Sequence, residues 1–431
     1  MGTDSAVQGA KMDPELTFEA RCSLVLLAAR TLFINGQSTE QTLAGAGRLA
    51  HRLDLRAALL PRWGQLALQV VSASSSTVRV DIADPTGVDM DRVASVARTI
   101  DDVVAGRLTP DQAAGTLTLI SKAPPASTWL FTLAAAAGAT ALSVIFGVHH
   151  LAAVALIAVS AGVGALLRRG LARLSGNVFL QPFAAAVLAG FVGALAVRFE
   201  LSSSLRLVAV CPCMILVPGP HFLNGGLDLI RGRIDLGAAR MVFASLVVAA
   251  ICIGLLAGLA LLGVTLPVDP SGREVPLWQD VFAAGVAVAA YNIFFSTPLK
   301  MLPWPVVIGM LAHALRWGVI AAFGCGPAGG ALVACLTVGL VLTPVADRWR
   351  MPFAAVGFAS VVSMMPGVFL FRMSSGLLQF LSAPSASPAL IKGTFFDGAT
   401  AATIVLAMSL GLLVPKLIID SLSERAARTP A

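Results

Sequence analysis

Charged residues are scarce in this chain, and their scarcity decides the class of protein. Only 12% of the 431 residues are Asp, Glu, Lys or Arg, whereas 57% are hydrophobic. A soluble domain carries about 25% charged residues. The composition therefore excludes a wholly soluble protein and indicates an integral membrane protein with some soluble mass. The net charge of +7 then reflects Lys and Arg retained on the cytoplasmic side of the lipid bilayer, and we predict no nucleic-acid partner.

Cysteines and enzymatic motifs are also sparse. The six cysteines are too dispersed for a disulfide framework. Cys211 and Cys213 flank a proline, but no nearby Cys or His completes a zinc site. The chain has no Walker A pattern, which argues against a built-in ATP motor. We therefore predict neither a metal nor a cofactor.

The beginning of the chain has the patterns of a small α+β domain that precedes the membrane region. We expect residues 1–14 to be disordered, residues 15–122 to form the domain and residues 123–127 to be a stiff linker. Apolar periodicity and capping residues predict helices from Phe18 to Phe33, from Ser38 to Leu53, from Val93 to Val103 and after Thr109-Pro110. Alternating Gln65–Val71 and Thr77–Ile82 predict a β-hairpin with a Ser-rich turn.

The same domain contains side chains that catalysis often uses. They are Ser38, Glu40, His51, Asp54, Asp81 and Asp84. Ser38 is better explained as a helix cap, and Asp54 and Asp84 lie where turns favour Asp. No nucleophile elbow or phosphate loop accompanies them. We predict that the chain is not an enzyme; a membrane-anchored enzyme, and a channel or sensor that receives a ligand in this domain, stay as alternatives.

The remainder of the chain predicts a polytopic α-helical membrane protein with about ten spans. A span needs about 20 mainly apolar residues. The predicted spans are Thr128–Gly147, Leu151–Leu167, Val178–Val197, Leu205–Val217, Met241–Val264, Val281–Thr297, Val306–Ile320, Ala328–Val345, Phe353–Phe371 and Ala399–Ile419. They form two five-helix modules, 128–265 and 281–421, with an outer loop at 266–280 and a cytoplasmic tail at 422–431. Loop Lys and Arg predict cytoplasmic termini, and five spans per module predict inverted repeats.

Two Pro-Gly breaks interrupt the apolar runs, one in each module. Pro218-Gly219-Pro220 ends the fourth run, and Pro366-Gly367 interrupts the ninth. Backbone polar groups in hydrocarbon need internal partners, so broken helices persist only where protein or a water-filled cavity covers them. Paired breaks in the two halves of a membrane domain indicate the central binding site of a transporter. The simpler alternative is that each Pro-Gly only ends or kinks a helix.

Polar residues near the breaks are the candidate site. We predict substrate binding by Pro218, Gly219, His221, Asn224, Gly225, Asn292, Pro366, Gly367 and Arg372, and proton coupling by Asp228 and His221. Half-helix N-termini and Arg372 can bind a carboxylate, and unwound carbonyls can bind an ammonium group. Three alternatives stay open: Asp228 pairs with Arg231 or Arg233 at the interface, Arg372 extends to lipid headgroups, and Asn292 bonds a neighbouring helix. Further ionisable residues at membrane depth are His313, Arg316 and Asp397.

Several motifs along the chain resemble the threonine/serine exporter family. They are Asn35-Gly36-Gln37-Ser38-Thr39-Glu40, Leu60-Pro61-Arg62-Trp63-Gly64, Val217-Pro218-Gly219-Pro220-His221-Phe222-Leu223-Asn224-Gly225, Arg231-Gly232-Arg233-Ile234-Asp235-Leu236-Gly237, Asn292-Ile293-Phe294-Phe295-Ser296-Thr297-Pro298 and Met365-Pro366-Gly367-Val368-Phe369. The likeness extends from about residue 15 to 420. It implies a cytoplasmic domain followed by two five-helix modules in the cell inner membrane.

The resemblance also implies a function. It predicts export of L-threonine and L-serine, driven by the proton-motive force, with protons and a small amino acid as the partners. Relatives that are split into two chains are associated with succinate, so a dicarboxylate exporter is the nearest rival. The sequence leaves the oligomeric state open, a homo-oligomer included.

Overall fold

A computed structural model describes residues 16–71, 76–148, 150–199, 205–264, 275–382 and 387–428. Sixteen α-helices and three β-strands lie within these ranges. The predictions for residues 1–14, for the Ser-rich turn at 72–75, for most of the loop at 266–280 and for the last residues of the tail lie outside them.

Residues 16–122, which we call the N-terminal segment, contain four helices and a sheet. The elements are α1 (Phe18–Ile34), α2 (Thr39–Arg52), β1 (Ala57–Arg62), β2 (Gly64–Val71), β3 (Ser76–Ala83), α3 (Met90–Val104) and α4 (Pro110–Lys122). Ser38 caps α2 as predicted, because its side chain accepts a hydrogen bond from the Gln41 N–H at 3.3 Å. Thr109 and Gln112 form a complete capping box at α4.

The sheet is antiparallel with the order β1-β2-β3, and the sequence analysis missed β1. Pro61 within this strand obscured it, since proline removes a ladder donor; an edge strand tolerates that loss. The apolar residues Leu66 and Leu68 of β2 are buried in the core of the segment. Those of β3 point away, so Val78, Val80 and Ile82 are exposed. The alternate β3 residues Arg79 and Asp81 pair with Glu19 and Arg30 of α1.

The membrane region contains eight long apolar helices and two bent pairs. The helices are α5 (Thr128–Ile145), α6 (Leu151–Leu174), α7 (Leu180–Arg198), α8 (Leu205–Met214), α9 (Gly219–Ile230), α10 (Ile234–Ala260), α11 (Leu277–Phe294), α12 (Pro303–Phe323), α13 (Pro327–Arg348), α14 (Phe353–Val361), α15 (Gly367–Ser382) and α16 (Pro388–Arg428). Each bent pair, α8 with α9 and α14 with α15, counts as one span, which gives ten candidate spans in the described residues. The tenth begins at Pro388 instead of Ala399, and its helix continues into the predicted tail.

Two sets of helices, α5–α10 and α11–α16, pack in the same pairwise pattern. In the first set α5 packs on α6 and α7 packs on α10, and in the second α11 packs on α12 and α13 packs on α16. The half-helix after each break lies on the last helix of its own set, α9 on α10 and α15 on α16. The two sets thus share one order of helix contacts, and the division into two five-span modules stays a prediction.

Glycines allow the closest helix pairs to approach. A Cβ atom on Gly190 of α7 would lie 2.2 Å from the Leu255 carbonyl oxygen of α10. The corresponding pair in the second set is as tight, because a Cβ on Gly411 of α16 would lie 2.5 Å from the Cys335 Cβ of α13. Small residues at such contacts are the usual means by which membrane helices associate closely.

The N-terminal segment packs on one end of the helix bundle. The Met90 N–H donates to the Phe295 carbonyl at the end of α11 at 2.9 Å. Arg350, which follows α13, pairs with Asp101 of α3 at 2.9 Å. The ends of α11 and α13 therefore lie on the side of the bundle that the N-terminal segment covers.

Candidate functional site

The first break separates α8 from α9 by a 53° bend. Its backbone N–H groups already have partners: Gly219 donates to the Val217 carbonyl at 3.0 Å and His221 donates to the Pro218 carbonyl at 3.1 Å. Pro220 has no N–H to offer. The start of α9 would therefore have to give up internal hydrogen bonds before it could bind a carboxylate.

The second break separates α14 from α15 by a 66° bend and lies against the first. A Cβ atom on Gly219 would lie 1.9 Å from the Phe358 ring of α14, and one on Gly367 would lie 3.1 Å from the Met214 side chain of α8. Each break thus packs its glycine on the half-helix that precedes the other break. Tyr291 secures this junction, because its hydroxyl donates to the Met214 carbonyl at 2.8 Å.

A cavity of about 460 Å³ opens beside the first break, and we call it the first-break cavity. Several parts of the chain line it, including the break itself and one loop of the N-terminal segment. Its lining includes Thr86–Asp89, Arg168 and Arg169 of α6, Gln181 and Pro182 of α7, Ile215–Pro218 with Pro220 and His221, and Phe294–Ser296. A cavity of this size holds a small solute.

Arg168 is the most unusual side chain in this cavity. Its Nε and Nη1 atoms are buried and make no hydrogen bond within the described part of the chain. The guanidinium group lies over the rings of Phe294 at 5.1 Å and Phe131 at 5.8 Å. Neighbouring Arg169 is already engaged, since its Nη2 donates to the Ala126 carbonyl at 2.9 Å. Arg168 therefore offers a carboxylate two charged hydrogen-bond donors that are unpaired in the described residues.

Asp89 adds a negative group to the lining of the same cavity. It is 8% exposed, and its Oδ1 accepts the Arg92 N–H at 3.1 Å to cap α3. Burial raises the pKa of this carboxyl above its ordinary value, although the cap and Arg92 act in the opposite direction. His221 lies nearby and packs edge-on against Phe243 at 5.1 Å. The cavity thus combines a cationic group, an anionic group and an imidazole.

A larger cavity of about 540 Å³ lies between the two breaks and the helices α10 and α16. Gly219, Phe358 and Met365 line it, and the other residues of its lining are mostly apolar. No charged side chain of the described residues takes part in this lining. A charged solute would lose its hydration there without compensation, so the first-break cavity is the better candidate for a polar solute.

Pro218 and His221 are the predicted site residues that line the first-break cavity. Asn224 instead donates from Nδ2 to the Gly36 carbonyl of the N-terminal segment at 3.1 Å. A Cβ on Gly225 would lie 3.1 Å from the Met241 side chain, so this glycine serves the packing of α9 on α10.

The predicted residues of the second set also have protein partners. Asn292 donates from Nδ2 to the Val288 carbonyl and accepts from the Thr297 hydroxyl at 3.1 Å. Arg372 pairs with Asp397 at 3.1 Å, which links α15 to α16. Pro366 and Gly367 form the second break and do not line the first-break cavity.

Asp228 lies in a buried ionic cluster between α9 and the N-terminal segment. Its Oδ2 lies 3.1 Å from the Arg240 Nε and accepts the Thr39 hydroxyl at 2.9 Å. The Arg233 Nη1 lies 3.5 Å from the Asp228 Oδ1, as expected from the alternative that Asp228 pairs with Arg231 or Arg233. Arg240 is fully buried, and the sequence analysis missed its role because it appeared only as a positive loop residue.

Glu40 extends the cluster to the surface of the N-terminal segment. Its carboxylate lies 2.8 Å from the Arg233 Nη2 and also pairs with Arg231. Burial by itself would raise the pKa of Glu40, but Arg233 and Arg231 outweigh it and lower that pKa below its ordinary value. Arg231 also pairs with Asp420 of α16 at 3.0 Å, so the cluster joins the N-terminal segment to both helix sets.

Ten candidate spans, two broken helices in contact and a charged cavity at one break define a polytopic membrane transporter. Residues 23–262 match a family model described as a threonine/serine exporter, and residues 280–418 match a second one described as "Threonine/Serine exporter, ThrE". The chain belongs to this threonine/serine exporter family, in its fused two-module form, and is a transporter and not an enzyme.

A curated relative supports the same assignment. The chain is 25% identical over 397 residues to the "Probable threonine/serine exporter" of Mycobacterium tuberculosis (strain ATCC 25618 / H37Rv), an alignment that covers 86% of this chain and 74% of the relative. No solved structure matches the chain.

Proposed function

We propose that this protein exports L-threonine and L-serine across the cell inner membrane and uses the proton gradient to do so. Family membership supports the substrate class. The first-break cavity supports it independently, because a zwitterionic amino acid needs one cationic and one anionic partner. Arg168 and Asp89 supply these two charges in the lining of one cavity.

The observation that carries the proposal is the pair of buried Arg168 atoms, Nε and Nη1, that make no hydrogen bond within the described residues. A buried charged donor without a partner is costly, so its presence at a cavity calls for a ligand. A substrate carboxylate would accept a charge-assisted hydrogen bond from the Nε or the Nη1 of Arg168. The Asp89 carboxylate and the carbonyl groups near the first break would then receive the ammonium group.

The arrangement of the chain supports an inverted-repeat mechanism with cytoplasmic termini. If each set crosses the bilayer five times, two sets that pack alike would run in opposite directions, with the two breaks at opposite faces of a common centre. The N-terminal segment contributes Thr86–Asp89 to the lining of the first-break cavity. On a cytoplasmic N-terminal segment, this cavity is the entry site for a solute on its way out.

A dicarboxylate such as succinate is the second candidate solute. The adjacent Arg168 and Arg169 favour it, since both line the cavity and each could bind one carboxylate. Asp89 disfavours it, because this carboxyl shares the cavity and interacts electrostatically with Arg169. We therefore place the zwitterion first and make succinate an outcome of the test.

Counterflow in proteoliposomes tests the proposal. Vesicles that contain the protein are loaded with unlabelled L-threonine, and uptake of labelled L-threonine is followed with L-serine or succinate as competitor. Arg168→Gln should reduce uptake by about 10- to 100-fold, which is the loss expected for a charge-assisted hydrogen bond. Arg173→Gln is the matched control, because Arg173 lies on the same helix, carries the same charge and is exposed.

We expect competition by serine, indifference to succinate and normal uptake by Arg173→Gln. Competition by succinate, with uptake of labelled succinate in the matching assay, would transfer the protein to the dicarboxylate class. Normal threonine uptake by Arg168→Gln would show that the first-break cavity is not the binding site.

A further inference from the structure

Three polar side chains from three helical elements meet inside the second helix set. His313 of α12 places its Nδ1 2.9 Å from the Asp280 Oδ2 of α11, and its Nε2 lies within hydrogen-bond distance of the Ser363 hydroxyl. All three are buried: His313 is 0% exposed, Asp280 3% and Ser363 5%. Ionisable groups at membrane depth are costly and are retained for function as a rule.

This cluster lies near the second break and far from the N-terminal segment. Ser363 is in the short 3₁₀ turn Val362–Met364, directly before Met365-Pro366-Gly367. Asp280 is in the first turn of α11, whereas the N-terminal segment contacts Phe295 at the other end of that helix. These two residues are about 22 Å apart along the helix axis. The cluster therefore serves the face of the bundle opposite to the first-break cavity.

Few other charges face His313. Arg316, one turn further along α12, interacts electrostatically with Asp280. On α11 the remaining titratable group is Tyr291, which is bonded to Met214. The charged residues of α13 are Asp347 and Arg348. They lie about 26 Å along that helix from Gly330, the residue of α13 that packs on Arg316. The helix α14 has no charged residue. Among the described residues of these helices, Asp280 and Arg316 are thus the charged groups that can influence His313.

We propose that His313 is the proton-binding residue of the transport cycle and that Ser363 transmits its protonation state to the second break. In the neutral state Nδ1–H donates to Asp280 and Nε2 accepts the Ser363 O–H. When a proton binds at Nε2, that nitrogen becomes a donor, and the Ser363 hydroxyl must turn away and donate elsewhere. The Nε2–H bond is the only covalent bond that forms when the proton binds, and the same bond breaks when the proton leaves.

The proposal rests on the proposed function and replaces the proton-coupling residues expected from sequence. Asp228 is held by Arg240, Arg233 and Thr39. His221 lines the first-break cavity and would lie beside the solute. His313 is separate from the cavity, so it can bind a proton while the solute occupies its own site. An Asp–His–Ser set also resembles a hydrolytic triad, but Ser363 lines neither of the two large cavities where a substrate could reach it.

Two transport assays on the same vesicles separate coupling from binding. The first measures threonine accumulation driven by a pH gradient, and the second measures threonine counterflow without a gradient. His313→Gln should lower gradient-driven accumulation at least tenfold and keep counterflow within twofold of wild type. Ser363→Ala, a smaller change, should lower accumulation several-fold and also keep counterflow. A merely structural role would lower both activities together.

Three results would overturn the proposal. The first is unchanged gradient-driven accumulation in His313→Gln. The second is a parallel loss of accumulation and counterflow in Ser363→Ala, provided that thermal unfolding shows this variant to be as stable as the wild type. In either case the counterflow of the wild type would leave the proposed function standing. A wild type without threonine counterflow would overturn the proposed function and, with it, this assignment.

Discussion

The two helix breaks have the same surroundings in the fold but different chemistry. Each break follows a short half-helix, precedes a half-helix that packs on the last span of its set, and contacts the other break through glycine. The first opens on a cavity that contains Arg168, Asp89 and His221. The second lies beside the buried Asp280–His313–Ser363 cluster. By our two proposals, a solute binds at the first break and a proton binds beside the second.

Equivalent positions in the two sets show how this difference arises. Ser363 lies three residues before Pro366, and the position three residues before Pro218 is the apolar Ile215. The first turn of α11 contains Asp280, whereas the first turn of α5 contains no acidic residue. At these positions the first set therefore has neither the acidic residue nor the hydroxyl group that contact His313 in the second set. The two sets share their helix contacts, and single side chains make the chemistry of the two breaks different.

The largest effect on stability is expected at the ion pairs that anchor α9 and α15, the half-helices that follow the two breaks. Asp228→Asn should destabilise the protein by about 3–5 kcal/mol, because it leaves a buried guanidinium without its counter-charge. Asp228 and Arg240 have side chains that are 2% and 0% exposed. The equivalent anchor of α15 is less buried, with Arg372 at 13% and Asp397 at 9%, so Asp397→Asn should cost less. Thermal unfolding in detergent measures both.

A rescue distinguishes this anchoring role from proton coupling by Asp228. Arg240→Met removes the orphaned charge, so the double variant with Asp228→Asn should recover most of the lost stability. The proton-coupling role would instead be favoured if Asp228→Asn had normal stability. This variant would also have to retain counterflow and lose gradient-driven transport.

The next effect compares the two glycines at the breaks. Gly219→Ala should cost about 1–3 kcal/mol through overpacking, because the added Cβ would lie 1.9 Å from the Phe358 ring. Gly367→Ala should be milder, since its Cβ would meet the flexible Met214 side chain at 3.1 Å. Protein yield and melting temperature provide the measurement.

The origin of this difference can be checked in the partner residue. Phe358→Leu removes the ring edge that Gly219→Ala would meet, so the double variant should be more stable than Gly219→Ala alone. Equal damage from Gly219→Ala and Gly367→Ala, without rescue, would show that backbone conformation and not the contact between the breaks requires these glycines.

The smallest effect is expected at the ion pairs between the N-terminal segment and the first set. Glu40→Gln should cost at most about 1 kcal/mol, because an ion pair with a carboxylate 40% exposed is strongly screened. The pKa of Glu40 is lowered from 4.5 in the folded protein, so its contribution is complete above about pH 4.5 and is lost as the pH falls through the folded pKa. The stabilities of wild type and Glu40→Gln should differ at pH 7 and converge in acid; an equal difference at both pH values would contradict this account.

Much of the fold could be predicted because its signals are local. Pro218-Gly219 and Pro366-Gly367 mark the breaks, and Ser38 and Thr109 mark helix starts, since each acts on neighbouring residues. The strand β1 was missed because Pro61 lies within it and only its edge position makes proline acceptable.

The polar sites were harder to predict because they join distant residues. His313 is separated from Asp280 by 33 residues and from Ser363 by 50, so no short motif unites them. Arg168 has the sequence signature of an ordinary positive residue at the inner end of a span. Only the structure shows that its Nε and Nη1 make no hydrogen bond with the residues it describes. Likewise, Asp89 caps a helix in the N-terminal segment, and only the packing of that segment brings it to the cavity.

Direct binding of labelled L-threonine to the purified protein tests the division between the breaks most simply. The affinities of wild type, Arg168→Gln and His313→Gln are compared at one pH in the same detergent. The account predicts a 10- to 100-fold weaker affinity for Arg168→Gln, as estimated for a lost charge-assisted hydrogen bond, and an affinity within about twofold of wild type for His313→Gln. Equal losses in the two variants, or a loss in His313→Gln alone, would contradict the assignment of solute to the first break and proton to the second.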